Sequence, residues 1–136
     1  MAAPRTRARC FRMRVPGCRR TSWTLYDMLL LLYVMDTGAR CRASYGELAR
    51  SVGCYSGHVR NVAARLEESG LLERSDGWRE DGGRDANDWA LTPSGRLVVE
   101  MWARAAAPEE IGDAPAWAAP AASRLAGCER GGSVSG

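Results

Sequence analysis

The chain has no lysine at all: its 19 basic side chains are arginines, spread over 136 residues with a single histidine and a single phenylalanine. That usage reports GC-rich coding more than mechanism. The shortage of histidine carries more weight. With His58 alone there is no Ser-His-acid order, and neither a phosphate-cradling glycine loop nor a set of spaced metal ligands is present, so the chain is not expected to be an enzyme. The five cysteines (Cys10, Cys18, Cys41, Cys54 and Cys128) are odd in number and never form a Cys-x-x-Cys pair. They therefore imply neither a disulfide framework nor structural zinc, and they suit a reducing, cytoplasmic compartment. Neither a cofactor nor a metal is expected. A redox switch at Cys41 or Cys54 is the one thiol function left to test.

Long apolar runs are missing too. Arg19-Arg20 precedes the run Met28 to Met35, as in an export signal, but eight residues fall far short of the roughly 20 that span a bilayer. No small-x-small cleavage site follows before Arg40 and Arg42, so no membrane association is expected. The run reads better as a core helix from about Thr24 to Met35, with Leu25, Met28, Leu29, Leu32 and Met35 on one stripe. Leu30, Leu31, Tyr33 and Val34 make it apolar nearly all round. Such a helix is either central in its domain or shared with a partner, which raises a homodimer through residues 24–35.

The modest net charge of +3 hides an asymmetry. Residues 1–20 hold seven arginines (Arg5, Arg7, Arg9, Arg12, Arg14, Arg19, Arg20) and no acid, whereas the remainder carries a net −4. A basic segment without apolar periodicity is expected to be disordered alone and to lie along phosphates or in a minor groove when its domain docks. The alternative is a start at Met13, upstream residues being an overextension.

The most informative stretch is Ser44 to Gly70. Ser44 and Glu47 have the spacing of a capping box, and Tyr45, Leu48, Ala49 and Val52 then form one helical stripe that Gly53 can stop. Val59, Val62, Ala63 and Leu66 repeat the spacing up to Ser69-Gly70. The second helix turns Ser56, Gly57, His58, Arg60, Asn61 and Arg65 to solvent and keeps Glu67 and Glu68 for its far end. A helix in the major groove reads bases from its first turns, Arg pairing with guanine O6 and N7 and Asn with adenine N6 and N7. Arg60 and Asn61 are the expected base contacts. Gly57 costs roughly 1 kcal/mol of helix propensity against alanine but clears the backbone for phosphate.

Two strand candidates, 71–74 and 89–91, follow the paired helices, and Leu91-Thr92-Pro93-Ser94-Gly95-Arg96 then opens another helix, with Thr92 suited to cap and Pro93 to the first helical position. Over residues 23–104 the chain resembles bacterial winged-helix regulators of the MarR type and the related wing domains of phage and plasmid replication proteins. The resemblance implies a mainly α winged helix-turn-helix with a small β-hairpin: support helix and turn over residues 48–53, recognition helix over 55–68, and Leu-Thr-Pro-x-Gly at the end of the second wing strand. It implies a DNA site comprising Tyr55, Ser56, Gly57, His58, Arg60, Asn61 and Arg65, with Arg79 and Arg84 from the wing. Two departures stand out. Tyr55 occupies a position where such helices usually carry serine, with Ser56 able to take over the cap. The wing loop from Ser75 to Asp88 has five acids against Arg79 and Arg84, a net −3, although a wing that grips phosphate should be basic. Trp78 is expected to prop that loop against the body.

The expected organisation is a disordered arm over 1–22, the winged domain over 23–104, and a disordered Ala/Pro/Gly-rich tail over 105–136 in which Pro115 and Pro120 oppose a long helix around Trp117. A helix from Pro93 to Arg104 is expected, with Leu97, Val98, Met101 and Trp102 as its apolar stripe. The expected function is sequence-specific binding of duplex DNA as a transcriptional regulator at the nucleoid. Two alternatives stay open: the DNA-binding module of a phage or plasmid replication or partition protein, and a protein-binding winged helix.

Overall fold

A twelve-residue helix, α1 (Leu25–Asp36), lies at the centre, and nearly everything else packs on it. Met28, Leu29, Leu30, Leu31, Leu32 and Val34 are all buried. Each such side chain contributes roughly 1.5 to 3 kcal/mol when removed from water, and a helix apolar all round can collect this only if covered on every side. The cover comes from the chain itself. The structure, a computed structural model, describes residues 10–75, 87–105, 111 and 114–134, with side chains described up to residue 127.

Before α1, β1 (Cys10–Arg12) pairs antiparallel with β2 (Ser22–Thr24), setting Phe11 opposite Trp23. The arm expected over residues 1–22 is thus corrected from Cys10 onward. Val15 and Trp23 are buried, and the Trp23 indole donates to the Met13 carbonyl at 2.9 Å. Strands of three residues have too few positions to display a period, which is why this hairpin does not stand out in the sequence. Residues 1–9 lie outside the described residues.

After α1 comes β3 (Arg40–Ala43), then α2 (Tyr45–Val52) and α3 (Ser56–Glu68), then β4 (Leu72–Ser75) and β5 (Asn87–Leu91). The three strands form an antiparallel sheet in the order β3-β5-β4. A two-stranded wing was expected; β3 adds an edge, pairing Cys41 with Trp89 and Ala43 with Asn87. This is the winged helix-turn-helix architecture expected of the sequence.

The last two helices are α4 (Pro93–Ala105) and α5 (Ala118–Val134). The disordered tail expected over 105–136 is corrected by α5, whose Ala118, Ala121 and Ala122 are buried where it meets α1 and α4. Pro120 sits in the first turn, where its missing N–H would have had no intrahelical partner, so it does not oppose this helix. Trp117 donates from its indole to the Ser51 carbonyl at 2.6 Å and meets the Tyr33 ring edge-on at 5.6 Å; Arg124 bonds Asp36 at 2.7 Å. The hairpin, α4 and α5 all pack on α1, so its central role stands, with Leu25, Tyr26, Tyr33 and Met35 left half-buried.

The Leu-Thr-Pro-Ser-Gly segment locks the end of α3 to the start of α4. Thr92 donates through its hydroxyl to the Gly70 carbonyl at 2.7 Å and accepts from the Gly95 amide at 3.0 Å. A Cβ at Gly95 would lie 2.1 Å from the Leu71 carbonyl oxygen, so only glycine permits this approach of two backbones. Gly95→Ala is therefore expected to lose about 2 to 3 kcal/mol of stability in urea unfolding, as overpacking against backbone does. A loss below about 0.5 kcal/mol would contradict the close approach.

Candidate nucleic-acid interface

The turn between α2 and α3 is set by local chemistry. Ser44 and Glu47 cap α2 reciprocally, at 2.8 and 3.1 Å, and Gly53 ends it at φ 85°, a left-handed conformation that a side chain would resist. The amides of Gly53 and Cys54 both return to the Ala49 carbonyl. The chain then re-enters helix at Ser56 with Tyr55 as the N-cap residue. Tyr55 makes no side-chain cap bond and Ser56 already lies inside the helix, so the takeover of the cap by Ser56 does not occur. The first-turn amides of α3 are left without a side-chain acceptor.

Val59, Val62, Ala63 and Leu66 face the core, and the opposite side of α3 is open. Ser56, Gly57, Arg60, Asn61 and Arg65 are exposed, and Tyr55, at 74%, is the one exposed large hydrophobic side chain among the described residues. No acid occupies the first turn, and Glu67 at the far end pairs with Arg74 of β4. His58 departs from the expected pattern. It is half-buried, its ring edge-on to Tyr26 of α1 at 4.9 Å, so it braces the helix as well as bordering the exposed face. Arg60 lies over the Tyr45 ring of α2, its guanidinium carbon 4.5 Å from the ring centroid.

Arg65 has a partner on α1 that helical phase alone does not reveal. Its guanidinium is 3.9 Å from Oδ1 of Asp27, a fully buried carboxylate on α1. The other oxygen, Oδ2, accepts from the Thr24 amide at 2.8 Å and from Arg20, whose guanidinium in turn stacks on Trp23. A buried carboxylate is tolerated only when charge and hydrogen bonds compensate it. Arg20 supplies most of that compensation, while Oδ1 has no hydrogen bond and only the nearby cation of Arg65. The network therefore ties the β1–β2 hairpin, α1 and the exposed helix together. The signal lay in Thr24-x-x-Asp27, which has capping-box spacing and does form one.

Of the wing, β4 and β5 pair with Leu72 opposite Leu91 and Ser75 opposite Asp88, and Arg42 of β3 pairs with Asp88 at 3.3 Å. Trp78, Arg79 and Arg84, singled out in the loop, lie outside the described residues. Among the described residues no cluster of side chains could hold a metal ion, and no helix is long and apolar enough to cross a membrane. Cys10, Cys18, Cys41 and Cys54 are free thiols. Burial pushes the Cys54 thiol above its ordinary value of 9.0. Cys41 is likewise raised, chiefly by burial; a hydrogen bond with Thr37 works the other way, and the carboxylates of Asp88 and Glu47 add to the rise.

The arrangement of α1, α2 and α3 with the β4–β5 wing defines the winged helix-turn-helix class. Two solved structures are similar to this chain, and the second shares its fold. One is a probable transcriptional regulator from Pseudomonas aeruginosa, 23% identical with a TM-score of 0.46, matched over 79% of this chain and 66% of that one. The other is Bordetella bronchiseptica BpsR, whose DNA binding is regulated by 6-hydroxynicotinic acid, 22% identical with a TM-score of 0.51, matched over 79% of this chain and 80% of that one. This chain thus spans just under two thirds of the first. No protein-family model and no curated protein sequence matches it.

The buried network and the thiols give direct tests. Asp27→Asn leaves Arg20 without its counter-charge and is expected to cost about 3 kcal/mol in urea unfolding, with a loss under about 1 kcal/mol contradicting the account. A thiol reacts as its thiolate, and burial disfavours that form. Alkylation of Cys41 and Cys54 at pH 8 should therefore run slower than that of a cysteine peptide, and its rise with pH should continue beyond about 9, the ordinary value that both thiols exceed, before levelling off. Fast labelling of either at pH 7 would revive the redox switch.

Proposed function

We propose that the chain binds duplex DNA sequence-specifically as a transcriptional regulator, with α3 in the major groove. The observation that carries the reading is the open face of α3: Tyr55, Ser56, Gly57, Arg60 and Asn61 lie exposed on its leading half, which bears no acid. Donors of this kind on the first turns of a helix match the base edges that a major groove presents. The uncapped amides beside Gly57 suit a phosphate oxygen, since a helix N-terminus favours anions. A fold shared with BpsR, a protein whose DNA binding is regulated, agrees with this reading. A regulator acting in this way would work in the cytoplasm, at the nucleoid.

Roles within the face are unequal. Arg60 and Asn61 are the base readers. Arg65, drawn toward Asp27, is better placed to brace α3 than to reach bases, with its remaining donors left for phosphate. Non-specific affinity comes from arginines outside the wing: Arg5, Arg7 and Arg9, and the exposed Arg12, Arg14 and Arg19 of the hairpin. Arg79 and Arg84 remain candidate minor-groove contacts in an otherwise acidic loop. A homodimer through α1 would use its half-buried Leu25, Tyr26, Tyr33 and Met35, and sedimentation of the full chain tests it.

Arg60→Ala and Asn61→Ala are each expected to cost about 1 to 3 kcal/mol of discrimination between the preferred site and random duplex, with unchanged thermal unfolding. Equal losses on both DNAs would remove the base-reading role. Deleting residues 1–9 is expected instead to weaken binding to every duplex and to flatten the dependence on salt, because three phosphate-neutralising cations go. Undiminished affinity for random DNA after that deletion would remove the arm from the mechanism. A replication or partition module would share all of these properties and differ in binding an origin rather than promoters. A chain that showed no salt-dependent binding to duplex would be a protein-binding winged helix.

A further inference from the structure

Tyr45 connects two parts of the fold that otherwise have little in common. It is the first residue of α2, half-buried, and its ring sits edge-on to Trp89 of β5, with centroids 5.7 Å apart and planes at 73°. Trp89 is buried and held in place, since its indole donates to the Ala43 carbonyl at 2.9 Å. The other side of the arrangement is Arg60, whose guanidinium carbon stands 4.5 Å from the Tyr45 ring centroid. A buried strand residue thus fixes a ring, and the ring holds an exposed cation on the neighbouring helix.

We propose that Tyr45 is a positioning residue for Arg60, setting where that guanidinium meets a base edge; this rests on the reading of α3 as the groove-binding helix. An exposed arginine otherwise has many rotamers to lose when it binds, and restricting them beforehand favours the bound geometry. An aromatic face does this without supplying an acceptor, so the donor fork stays available for guanine O6 and N7. The contrast with Arg65 is informative. A carboxylate near Arg65 competes for the same donors that a base would use, whereas the ring under Arg60 does not. Tyr45 thereby contributes to specificity without touching DNA, and it links the reading side chain to the wing through Trp89.

The test uses the full chain. The wild-type protein selects a preferred duplex from a random pool, and Arg60→Ala then identifies the base pair at which preference is lost. Tyr45→Phe is expected to keep discrimination there within about twofold. Tyr45→Leu, which retains an apolar contact to Trp89, is expected to lower it about three- to fivefold, with discrimination at other base pairs and affinity for random duplex unchanged. In an Arg60→Ala background Tyr45→Leu should have no further effect. Wild-type discrimination in Tyr45→Leu, or a loss spread evenly over all sequences, overturns the positioning role while the DNA-binding reading stands. A wild-type chain that selects no sequence overturns that reading itself. Should Tyr45→Leu not fold, the proton spectrum of the wild-type chain decides. An upfield ring-current shift of the Arg60 side-chain methylenes, kept in Tyr45→Phe, supports the stacking, and its absence overturns it.

Discussion

An α-helix with no polar side has to be enclosed, and the enclosure of α1 is the constraint on which the rest of this structure depends. The three-helix core and the sheet leave part of it open. The β1–β2 hairpin closes one side by bringing in Trp23 and Val15, and α5 closes another with a row of alanines small enough for close approach. Segments rich in arginine, or in alanine, proline and glycine, are thereby drawn into order despite compositions that favour disorder. Their apolar residues are few, but each faces a helix that offers surface in every direction.

The same enclosure governs the exposed helix. Asp27 is buried because α1 is buried, and its charge is tolerated because Arg20 reaches it from the hairpin and Arg65 approaches it from α3. The hairpin is thus part of what holds the exposed helix at its angle. On the opposite flank Trp89 and Tyr45 brace Arg60, and at the C-terminal end of α3 the Thr92 and Gly95 contacts fix the passage into the wing and α4. The leading half of α3 is left open while its rear and flanks are supported, as a helix that must enter a groove without bending would require.

The sequence disclosed those parts of the fold that obey a local rule. The capping box at Ser44 and Glu47, the glycine stop at Gly53, the stripe from Val59 to Leu66 and the Thr92-Pro93 helix start all appear where their chemistry puts them. What it concealed depends on distant partners. Strand β3 is ordered by pairing with β5, more than forty residues away. The hairpin and α5 are ordered by α1, and no composition rule registers a partner. Among the site residues, the exposure of Arg60 and Asn61 followed from helical phase. The side-chain pairings of Arg65 with Asp27 and of Arg60 with Tyr45 did not, since phase gives a direction from the helix axis and not the identity of a neighbour on another element.

The central claim is that a braced helix whose leading half bears no acid, with Arg60 and Asn61 at its open face, reads sequence in duplex DNA. Selection of bound fragments from genomic DNA, followed by competition between an enriched fragment and its scrambled counterpart at fixed salt, tests this most directly. The account predicts that the enriched fragment binds about a thousandfold or more tightly than the scrambled one. Equal binding of the two would contradict it.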